Sequence, residues 1–278
     1  MSLSRTCTNI NIHCNLYLCP KLSGLKKTKQ IYFVSDAHLG IPDYANSLKR
    51  EKLLVEWLDM AKQDAEEIYL LGDIFDFWFE YKTVVPKGFV RLLGKIAEIT
   101  DAGIPVHYFT GNHDMWAFGY FEKELGVKMY RQPQEREING KQFYIAHGDG
   151  LGPKDYGYKF LKMIFSSPVC QRLFSWIHPG FGTGLALFFS RRSRMANGPK
   201  DEVFMGEEKE RLIVYCREQL KKKPYNYFIF GHRHLPMDIS IAKDARYINT
   251  GEWVSKFSYA VFDGEDLHLK YYNPDKGI

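Results

Sequence analysis

The sequence predicts a layered α/β fold containing two β-sheets, and two observations support this prediction. From residue 31 onward, apolar runs of strand length alternate with longer stretches of helical periodicity, which is typical of α/β proteins. After Gly111 the pattern changes to short strands separated by turns. The 278 residues, of which 45% are hydrophobic and 26% charged, suffice for one globular domain with an insertion.

The first half of the chain supplies three strands and two helices. The apolar runs at 31–34, 67–71 and 104–109 have the length and composition of buried strands. Between them, apolar residues recur at helical spacing and are predicted to face the core. These residues are Leu48, Leu53, Leu54, Trp57 and Leu58 in the first helix, and Phe89, Leu92, Leu93 and Ile96 in the second.

The second half supplies the remaining strands. Asn139 and Gly140 predict a tight hairpin turn between strands at 131–138 and 142–146, because these two residues tolerate the positive φ angles of such turns. Further strands are predicted at 227–230, 238–241, 245–248 and 259–262. This second group of strands indicates two sheets rather than one.

Two segments differ from this pattern. Residues 1–30 lack the apolar region and cleavage site of a signal peptide, and we predict a disordered leader before a domain at 31–278. The segment 156–194 is rich in Phe, Leu, Ile and Trp, is interrupted by Pro and Gly, and ends in arginines, which predicts an inserted helical cap. The five cysteines, an odd number, imply no disulfide framework.

The charge of the chain restricts the classes of partner. A net charge of +5 and a pI near 8.7 favour anionic partners, namely phosphate esters, nucleic acid or an acidic membrane surface. The sign of the charge does not choose among them. No stretch reaches the roughly 18 consecutive apolar residues of a spanning helix, which argues against an integral membrane protein.

Five short blocks rich in Asp, His and Asn each follow an apolar run, where α/β folds build their sites. The blocks are Asp36-Ala37-His38, Gly72-Asp73-Ile74-Phe75-Asp76, Gly111-Asn112-His113-Asp114, His147-Gly148-Asp149 and Gly231-His232-Arg233-His234. Alternate residues of an extended chain point the same way, so Asp36 and His38 are predicted to share one ion. A single block is usually a turn or a helix cap, whereas five in series indicate a metal site.

In this order, the blocks D-x-H, GD-x-x-D, GNHD, H-G-D and GH-x-H resemble the motif set of the calcineurin-like metallophosphoesterases. The resemblance covers residues 31–272 and implies an αββα sandwich of two mixed sheets with two metal ions at one edge. The implied ligands of one ion are Asp36, His38 and His234. Those of the other ion are Asn112, His147 and His232, with Asp73 bridging both ions.

The residue types of this set also predict the chemistry. Mixed carboxylate, amide and imidazole ligands suit a borderline divalent ion such as Mn²⁺, with Fe or Zn as competitors. Two such ions about 3.5 to 4 Å apart activate water and neutralise phosphoryl oxygens during in-line attack. The resemblance further implies that His113 contacts the substrate and is oriented by Asp76. A charged imidazolium there could stabilise the transition state or protonate a leaving oxygen.

Two features resemble one branch of this family, which hydrolyses UDP-2,3-diacylglucosamine to UMP and 2,3-diacylglucosamine 1-phosphate in lipid A biosynthesis. They are the aromatic run at 75–79 and the insertion between His147 and Gly231. The resemblance implies a helical lid at about 152–200 over an acyl-chain groove. The residues it implies for substrate binding are Trp78, Arg191, Arg194, Asn197 and Lys200. The chain departs from the enterobacterial form, in which Arg and Glu replace His113 and Asp76.

Two other function classes remain open at this point. A generic phosphodiesterase or phosphatase acting on nucleotides or other phosphoesters would fit the basic charge, although this charge is interleaved with apolar residues in the lid. A non-catalytic scaffold is disfavoured because every ligand position is intact.

From these arguments we expect a UDP-linked acylated sugar as the substrate, no nucleic acid and no obligate protein partner. The apolar, arginine-bordered lid also predicts a cytoplasmic enzyme attached peripherally to the anionic surface of the inner membrane.

Overall fold

The computed structural model describes residues 29–201 and 203–273, and within 194–201 it describes the backbone only. The predicted leader therefore lies outside the described residues up to residue 28. The strands are β1 (Gln30–Val34), β2 (Ala65–Leu70), β3 (Val106–Phe109), β4 (Lys128–Tyr130), β5 (Gln134–Ile138), β6 (Lys141–Ile145), β7 (Tyr227–Phe230), β8 (Met237–Ala242), β9 (Ala245–Asn249), β10 (Ser258–Phe262) and β11 (Leu267–Tyr271). The helices are α1 (Tyr44–Ala61), α2 (Val90–Asp101), α3 (Tyr120–Leu125), α4 (Tyr156–Phe165), α5 (Pro168–Ser175), α6 (Pro179–Asp201) and α7 (Arg211–Leu220).

The strands form two mixed sheets, as predicted. The first sheet has the order β11-β10-β1-β2-β3-β4, and its four strands from β1 to β4 run parallel. The second sheet has the order β5-β6-β7-β9-β8, with β6, β7 and β9 parallel and the outer two strands antiparallel to their neighbours. Parallel strands end at the same edge of their sheet, which brings the segments that follow them together.

The two sheets face each other, and helices cover their outer faces. Strand β1 shows how the layers arise, since Phe33 points into the layer between the sheets while Tyr32 and Val34 pack under the helices. Both faces of such a strand are buried, which explains why the sequence reads as a continuous apolar run. Trp57 of α1 lies in the first helix layer and Cys216 of α7 in the second. The predicted αββα sandwich is confirmed.

Helix α1 has a structural role beyond its apolar face. Asp43 caps its first turn by accepting a hydrogen bond from the backbone N–H of Asn46 at 2.9 Å. The buried Glu51 of α1 accepts hydrogen bonds from the backbone N–H groups of Arg91 and Leu92, at 2.9 and 3.2 Å, and so caps the start of α2. The two helices are thereby fixed to each other on the first sheet.

The predicted hairpin is confirmed between β5 and β6. Ile138 pairs with Lys141, and both turn residues have positive φ, 48° at Asn139 and 75° at Gly140. The first strand is shorter than predicted, because it begins at Gln134.

Helices α4 to α6 follow the fourth block, and we call residues 156–201, which contain these three helices, the lid. Neither α4 nor α5 contains a buried residue. The lid attaches to the sandwich through Phe174, whose ring centroid lies 4.8 Å from that of Phe79 and 4.7 Å from that of Trp116. The indole N–H of Trp116 also donates to the carbonyl of Phe165 at 2.8 Å. Within the described ranges, no helix is long and apolar enough to cross a membrane.

Candidate metal centre

The five predicted blocks meet at one edge of the sandwich, where β1, β2, β3, β6 and β7 end. Their Asp and His side chains form three groups, in each of which the ligand-type atoms lie within 4.8 Å of one another. One group joins His38 to Asp76 and His113, and the other two are the clusters that contain the predicted ligands. The first cluster consists of Asp36, His38 and His234. The second cluster consists of Asp73, His147 and His232. The first cluster is one predicted ligand set. The second contains His147 and His232 of the other predicted set, together with the predicted bridge Asp73.

In the first cluster, the side-chain atoms converge on one point. The carboxylate oxygen Oδ1 of Asp36 lies 3.2 Å from Nε2 of His234 and 3.7 Å from Nε2 of His38. The two imidazole nitrogens are 3.1 Å apart. A carboxylate and two imidazoles in this arrangement can hold a divalent ion.

Asp73 lies between the two clusters. Its oxygen Oδ2 is 3.3 Å from Nε2 of His147 in the second cluster and 4.0 Å from Nε2 of His38 in the first. One carboxylate oxygen is therefore within reach of both groups. This is the position required of a bridging ligand.

The residues present fit a divalent ion, because several buried atoms of ligand type make no hydrogen bond. Within the described residues, Oδ1 of Asn112, Nε2 of His147 and Oδ1 of Asp36 are buried and accept or donate no hydrogen bond. An unsatisfied buried polar atom costs about 1–3 kcal/mol. Three such atoms at one edge, all of ligand type, are accounted for by cation binding.

The opposite atoms of the same side chains are held by the protein. Oδ2 of Asp36 accepts hydrogen bonds from the backbone N–H of His232 at 2.9 Å and from the hydroxyl of Ser35. Oδ1 of Asp73 accepts from the backbone N–H of His113 at 2.8 Å. Nδ1 of His147 donates to the carbonyl of Leu71 at 2.6 Å, which turns its Nε2 toward the cluster. Each side chain is thus oriented by one atom and offers the other to the cluster.

The backbone at the centre is in an uncommon conformation. Five candidate ligands have positive φ angles, which side chains other than glycine rarely adopt. They are Asp36 at 54°, His38 at 42°, Asp73 at 52°, His232 at 67° and His234 at 29°. The extended backbone assumed for the first block is therefore wrong, although its Asp and His do enter the same cluster.

Two glycines of the motifs are required by close approach to the carboxylates. A Cβ atom on Gly231 would lie 2.5 Å from both Oδ2 of Asp36 and the hydroxyl oxygen of Ser35. A Cβ atom on Gly111 would overlap the carboxylate of Asp73. Neither contact is possible for a larger residue without displacing a candidate ligand.

The carboxylates and histidines of the centre shift one another's pKa. Although burial disfavours their charge, neighbouring histidines hold the pKa of Asp36 and of Asp73 well below the usual range. Burial opposes the charge of His38, yet Asp36 and Asp76 raise its pKa to about 10. Burial and the charge of His147 lower the pKa of His232 to about 4. The carboxylates therefore remain ionised at neutral pH.

The predicted pair of His113 and Asp76 is present, but its contacts differ from the prediction. Nδ1 of His113 donates to the backbone carbonyl of Asp76 at 2.9 Å, whereas the carboxylate oxygen Oδ1 is 3.8 Å away. That oxygen lies closer to Nδ1 of His38, at 3.3 Å. Burial lowers the pKa of His113, so the neutral ring is favoured rather than the imidazolium.

The predicted substrate residues have different positions. Trp78 is completely buried between Phe75 and Phe121, with ring centroids 4.7 and 4.6 Å away. It offers no surface to a substrate, so its assignment to substrate binding is wrong, and its aromatic character serves core packing. Arg191 is exposed on α6, and its guanidinium donates to the carbonyl of Pro42 at 3.3 Å. The side chains of Arg194, Asn197 and Lys200 lie outside the described part of the chain.

Three other polar residues support the centre, although no role was predicted for them from the sequence. Asp114 accepts hydrogen bonds from the backbone N–H groups of Gly111 at 2.7 Å and Ile74 at 3.0 Å, which ties the second and third blocks together. Arg233 forms two hydrogen bonds of 3.0 Å with the carboxylate of Glu210.

The third of these residues, Asp149, contacts the lid. Its carboxylate accepts a hydrogen bond from the hydroxyl of Tyr158 at 2.6 Å and forms an ion pair with Lys162, also at 2.6 Å. All three residues lie inside the motif blocks, which is the signal that could have identified them.

Comparison with known proteins assigns this centre to a family. The sequence profile of the calcineurin-like phosphoesterases matches residues 29–236. This chain belongs to the calcineurin-like phosphoesterase family. The family and the sandwich agree with the resemblance that the motif blocks predicted, and members of this family use divalent metal ions in hydrolysing phosphoesters.

Relatives of this phosphoesterase carry a more specific name. A UDP-2,3-diacylglucosamine hydrolase of Porphyromonas gingivalis W83 is 37% identical over 257 residues, which cover 87% of this chain and 97% of that protein. A protein of the same name from Escherichia coli O157:H7 is 24% identical over 243 residues, covering 86% and 98%. Among solved structures, the phosphoesterase Yfce from E. coli has a TM-score of 0.43 and 13% identity, covering 88% and 100%.

Proposed function

We propose that this phosphoesterase hydrolyses the diphosphate of UDP-2,3-diacylglucosamine to UMP and 2,3-diacylglucosamine 1-phosphate. The observation that carries the proposal is the position of helix α6. It brings Ser190 to within 3.1 Å of Asp76 at the metal centre, while the preceding residues Phe188 and Phe189 are exposed. One substrate can therefore contact a phosphoryl-binding centre and an apolar surface together. The name of the P. gingivalis relative supports the same substrate.

The proposed cofactor is a pair of divalent ions, Mn²⁺ in the first place, with Fe or Zn as competitors. One ion is assigned to the first cluster. The other is assigned to Asn112, His147 and His232, with Asp73 between them. When bound, the ions supply positive charge to the phosphoryl oxygens and lower the pKa of water.

His113 is the proposed residue for proton transfer. Because its Nδ1–H is held by the carbonyl of Asp76, Nε2 is the ring atom available to a substrate. The ring is neutral without substrate, since burial lowers its pKa. The negative charge of a bound diphosphate raises that pKa, so Nε2 can hold a proton and deliver it to the leaving oxygen.

The lid supplies the proposed contacts to the rest of the substrate. Arg191 is assigned to the phosphates or the sugar, together with Arg194, Asn197 and Lys200, because a guanidinium fork matches phosphate oxygens. The acyl chains are assigned to the exposed apolar side chains of the lid. Exposed apolar side chains of the lid include Phe160, Met163, Trp176, Phe181, Phe188 and Phe189.

The proposal is tested by turnover of UDP-2,3-diacylglucosamine with Mn²⁺ in ¹⁸O-labelled water. We expect UMP and the sugar phosphate as products, with the label in UMP, because the proposed attack is on the phosphorus next to uridine. The variant His113→Ala, checked for unchanged metal content, is the control for catalysis at this centre. Label in the sugar phosphate would contradict the proposed attack. Turnover of simple nucleotide diesters without the lipid would favour the generic phosphodiesterase.

We also propose that the lid attaches the enzyme peripherally to an anionic membrane, at the cytoplasmic face of the inner membrane. Arg191 and Arg192 are exposed next to the apolar residues of α6, a combination that suits an anionic interface. Flotation with phosphatidylglycerol vesicles is expected, and phosphatidylcholine vesicles are the control. Undiminished flotation of a variant with Phe181, Phe188 and Phe189 changed to Ser would refute this mode of attachment.

A further inference from the structure

We propose that Ser190 of the lid is a positioning residue that connects the Asp76 carboxylate to the ring of His113. A direct connection is too long, since Oδ1 of Asp76 and Nδ1 of His113 are 3.8 Å apart. The hydroxyl oxygen of Ser190 lies 3.1 Å from Oδ2 of Asp76 and 3.3 Å from Nδ1 of His113. The hydroxyl therefore occupies the position between the two groups.

The direction of the hydrogen bonds follows from the chemistry of the three groups. A carboxylate oxygen accepts, so the hydroxyl of Ser190 donates to Asp76. Nδ1 of His113 carries a proton because its nearest partner, at 2.9 Å, is the carbonyl oxygen of Asp76. The Ser190 oxygen is then the second acceptor of that N–H, which makes a three-centre hydrogen bond. This arrangement fixes both the tautomer and the rotation of the His113 ring.

Ser190 comes from a different part of the molecule than the residues it connects. It lies 114 residues from Asp76 in sequence and belongs to helix α6, immediately after the exposed Phe188 and Phe189. The next residue, Arg191, contacts the carbonyl of Pro42 in the loop between β1 and α1. The orientation of the His113 ring therefore depends on how helix α6 packs on the sandwich.

A purely structural role for Ser190 makes different predictions. If the hydroxyl only fastened the lid, its removal would change stability or the binding of a lipid substrate. It would leave kcat for a small, lid-independent substrate unchanged. A positioning role instead lowers kcat for any phosphoester hydrolysed at this centre, with little change in KM.

The kinetic test uses the Mn²⁺-loaded enzyme and the small diester bis(4-nitrophenyl) phosphate. We expect Ser190→Ala to lower kcat about tenfold, the value of one lost hydrogen bond, with KM and metal content unchanged. Ser190→Thr keeps the hydroxyl and is expected to restore kcat. Ser175→Ala is the matched control, because the Ser175 hydroxyl bonds only to the carbonyl of Arg172 within its own helix among the described residues. Unchanged kcat in Ser190→Ala, or no recovery in Ser190→Thr, would overturn the proposal.

A double-mutant comparison shows whether Ser190 acts through His113. In the His113→Ala background the hydroxyl has no ring to position, so adding Ser190→Ala is expected to cause no further loss of kcat. A second, independent tenfold loss in that background would show that Ser190 acts elsewhere.

A third measurement needs no turnover, so it separates this inference from the proposed function. In the Zn²⁺-loaded protein with ¹⁵N-labelled histidine, the ring nitrogens of His113 are assigned by their absence in His113→Ala. Ser190→Ala is expected to shift those signals, and Ser175→Ala is expected to leave them in place. Unchanged His113 signals in Ser190→Ala would refute the connection, whichever phosphoester the enzyme hydrolyses.

Discussion

The edge of the sandwich and the lid are built on opposite principles. At the edge, ionised carboxylates and imidazoles are buried, and backbone N–H groups fix one oxygen of Asp36 and one of Asp73. In the lid, α4 and α5 contain no buried residue, and large apolar side chains such as Trp176 are exposed. The edge holds charges in fixed positions, as catalysis requires. The lid exposes apolar area that a bound molecule would bury.

In the part of the chain that the structure describes, all three lid helices contact the sandwich. Asp149 binds Tyr158 and Lys162 of α4, the rings around Trp116 bind Phe174 of α5, and Asp76 binds Ser190 of α6. Two of these contacts involve residues of the motif blocks. The lid is therefore attached at the centre itself, so a substitution in one region is expected to affect the positions of side chains in the other.

The largest expected effect is the loss of the carboxylate between the clusters. We expect Asp73→Ala to lose at least one bound ion and to lower kcat on the order of 10³-fold or more, because both clusters lose a shared charge. Metal analysis and initial rates measure this, with Asp101→Ala on the exposed end of α2 as the control. Retention of two ions and of most of the activity would contradict the bridging position.

The second prediction compares two tryptophans. Trp78 is fully buried, whereas Trp176 of the lid is 73% exposed. We expect Trp78→Ala to lower the free energy of unfolding by about 3–5 kcal/mol, the cost of a large cavity. Trp176→Ala is expected to change it by less than about 0.5 kcal/mol. Urea denaturation measures both, and equal losses would show that the lid is packed like the sandwich.

The third prediction concerns the exposed apolar surface of α6. Changing both Phe188 and Phe189 to Ser is expected to raise KM for the diacyl substrate about tenfold or more, since a buried aromatic side chain contributes about 1.5–3 kcal/mol. Steady-state kinetics with the lipid test this. Val90→Ser, exposed on α2 outside the lid, is expected to keep the wild-type KM. An unchanged KM in the double variant would place the acyl chains elsewhere.

The smallest effect is expected from the ion pair between Glu67 of the first sheet and Arg136 of the second, whose charged atoms are 3.1 Å apart. His107, Tyr69 and Arg136 lower the pKa of Glu67 to about 2, despite its burial. A depressed pKa stabilises the fold above the unfolded value near 4.3, and this stability is lost as pH falls toward 2. We expect Glu67→Gln to lower the free energy of unfolding by about 1 kcal/mol at pH 7, and by almost nothing near pH 2.

The control for this last prediction is the neighbouring Glu66, which is exposed on the same strand. Glu66→Gln is expected to have little effect at either pH. If the loss in Glu67→Gln were the same at pH 7 and pH 2, the ion pair would not be its cause.

Most of the layered fold could be predicted from the sequence, for identifiable reasons. Strands buried on both faces are continuous apolar runs, and the residues after them lie at one edge, so the five blocks indicated a common site. The positive φ angles of Asp36 and His38 could not be predicted, because neither residue type signals that conformation. Trp78 was misassigned, since an aromatic residue next to a site can face either the substrate or the core.

The sequence by itself determined the family, the two sheets and the residues that form the two clusters, because these follow from local patterns along the chain. Only the tertiary structure decided that the Asp76 carboxylate faces His38, that its carbonyl holds His113 and that Ser190 contacts both residues of that pair. The physical reason is separation in sequence, since Ser190 and Asp76 are 114 residues apart. Contacts over such distances depend on how helix α6 packs on the sandwich, and no local pattern records that packing.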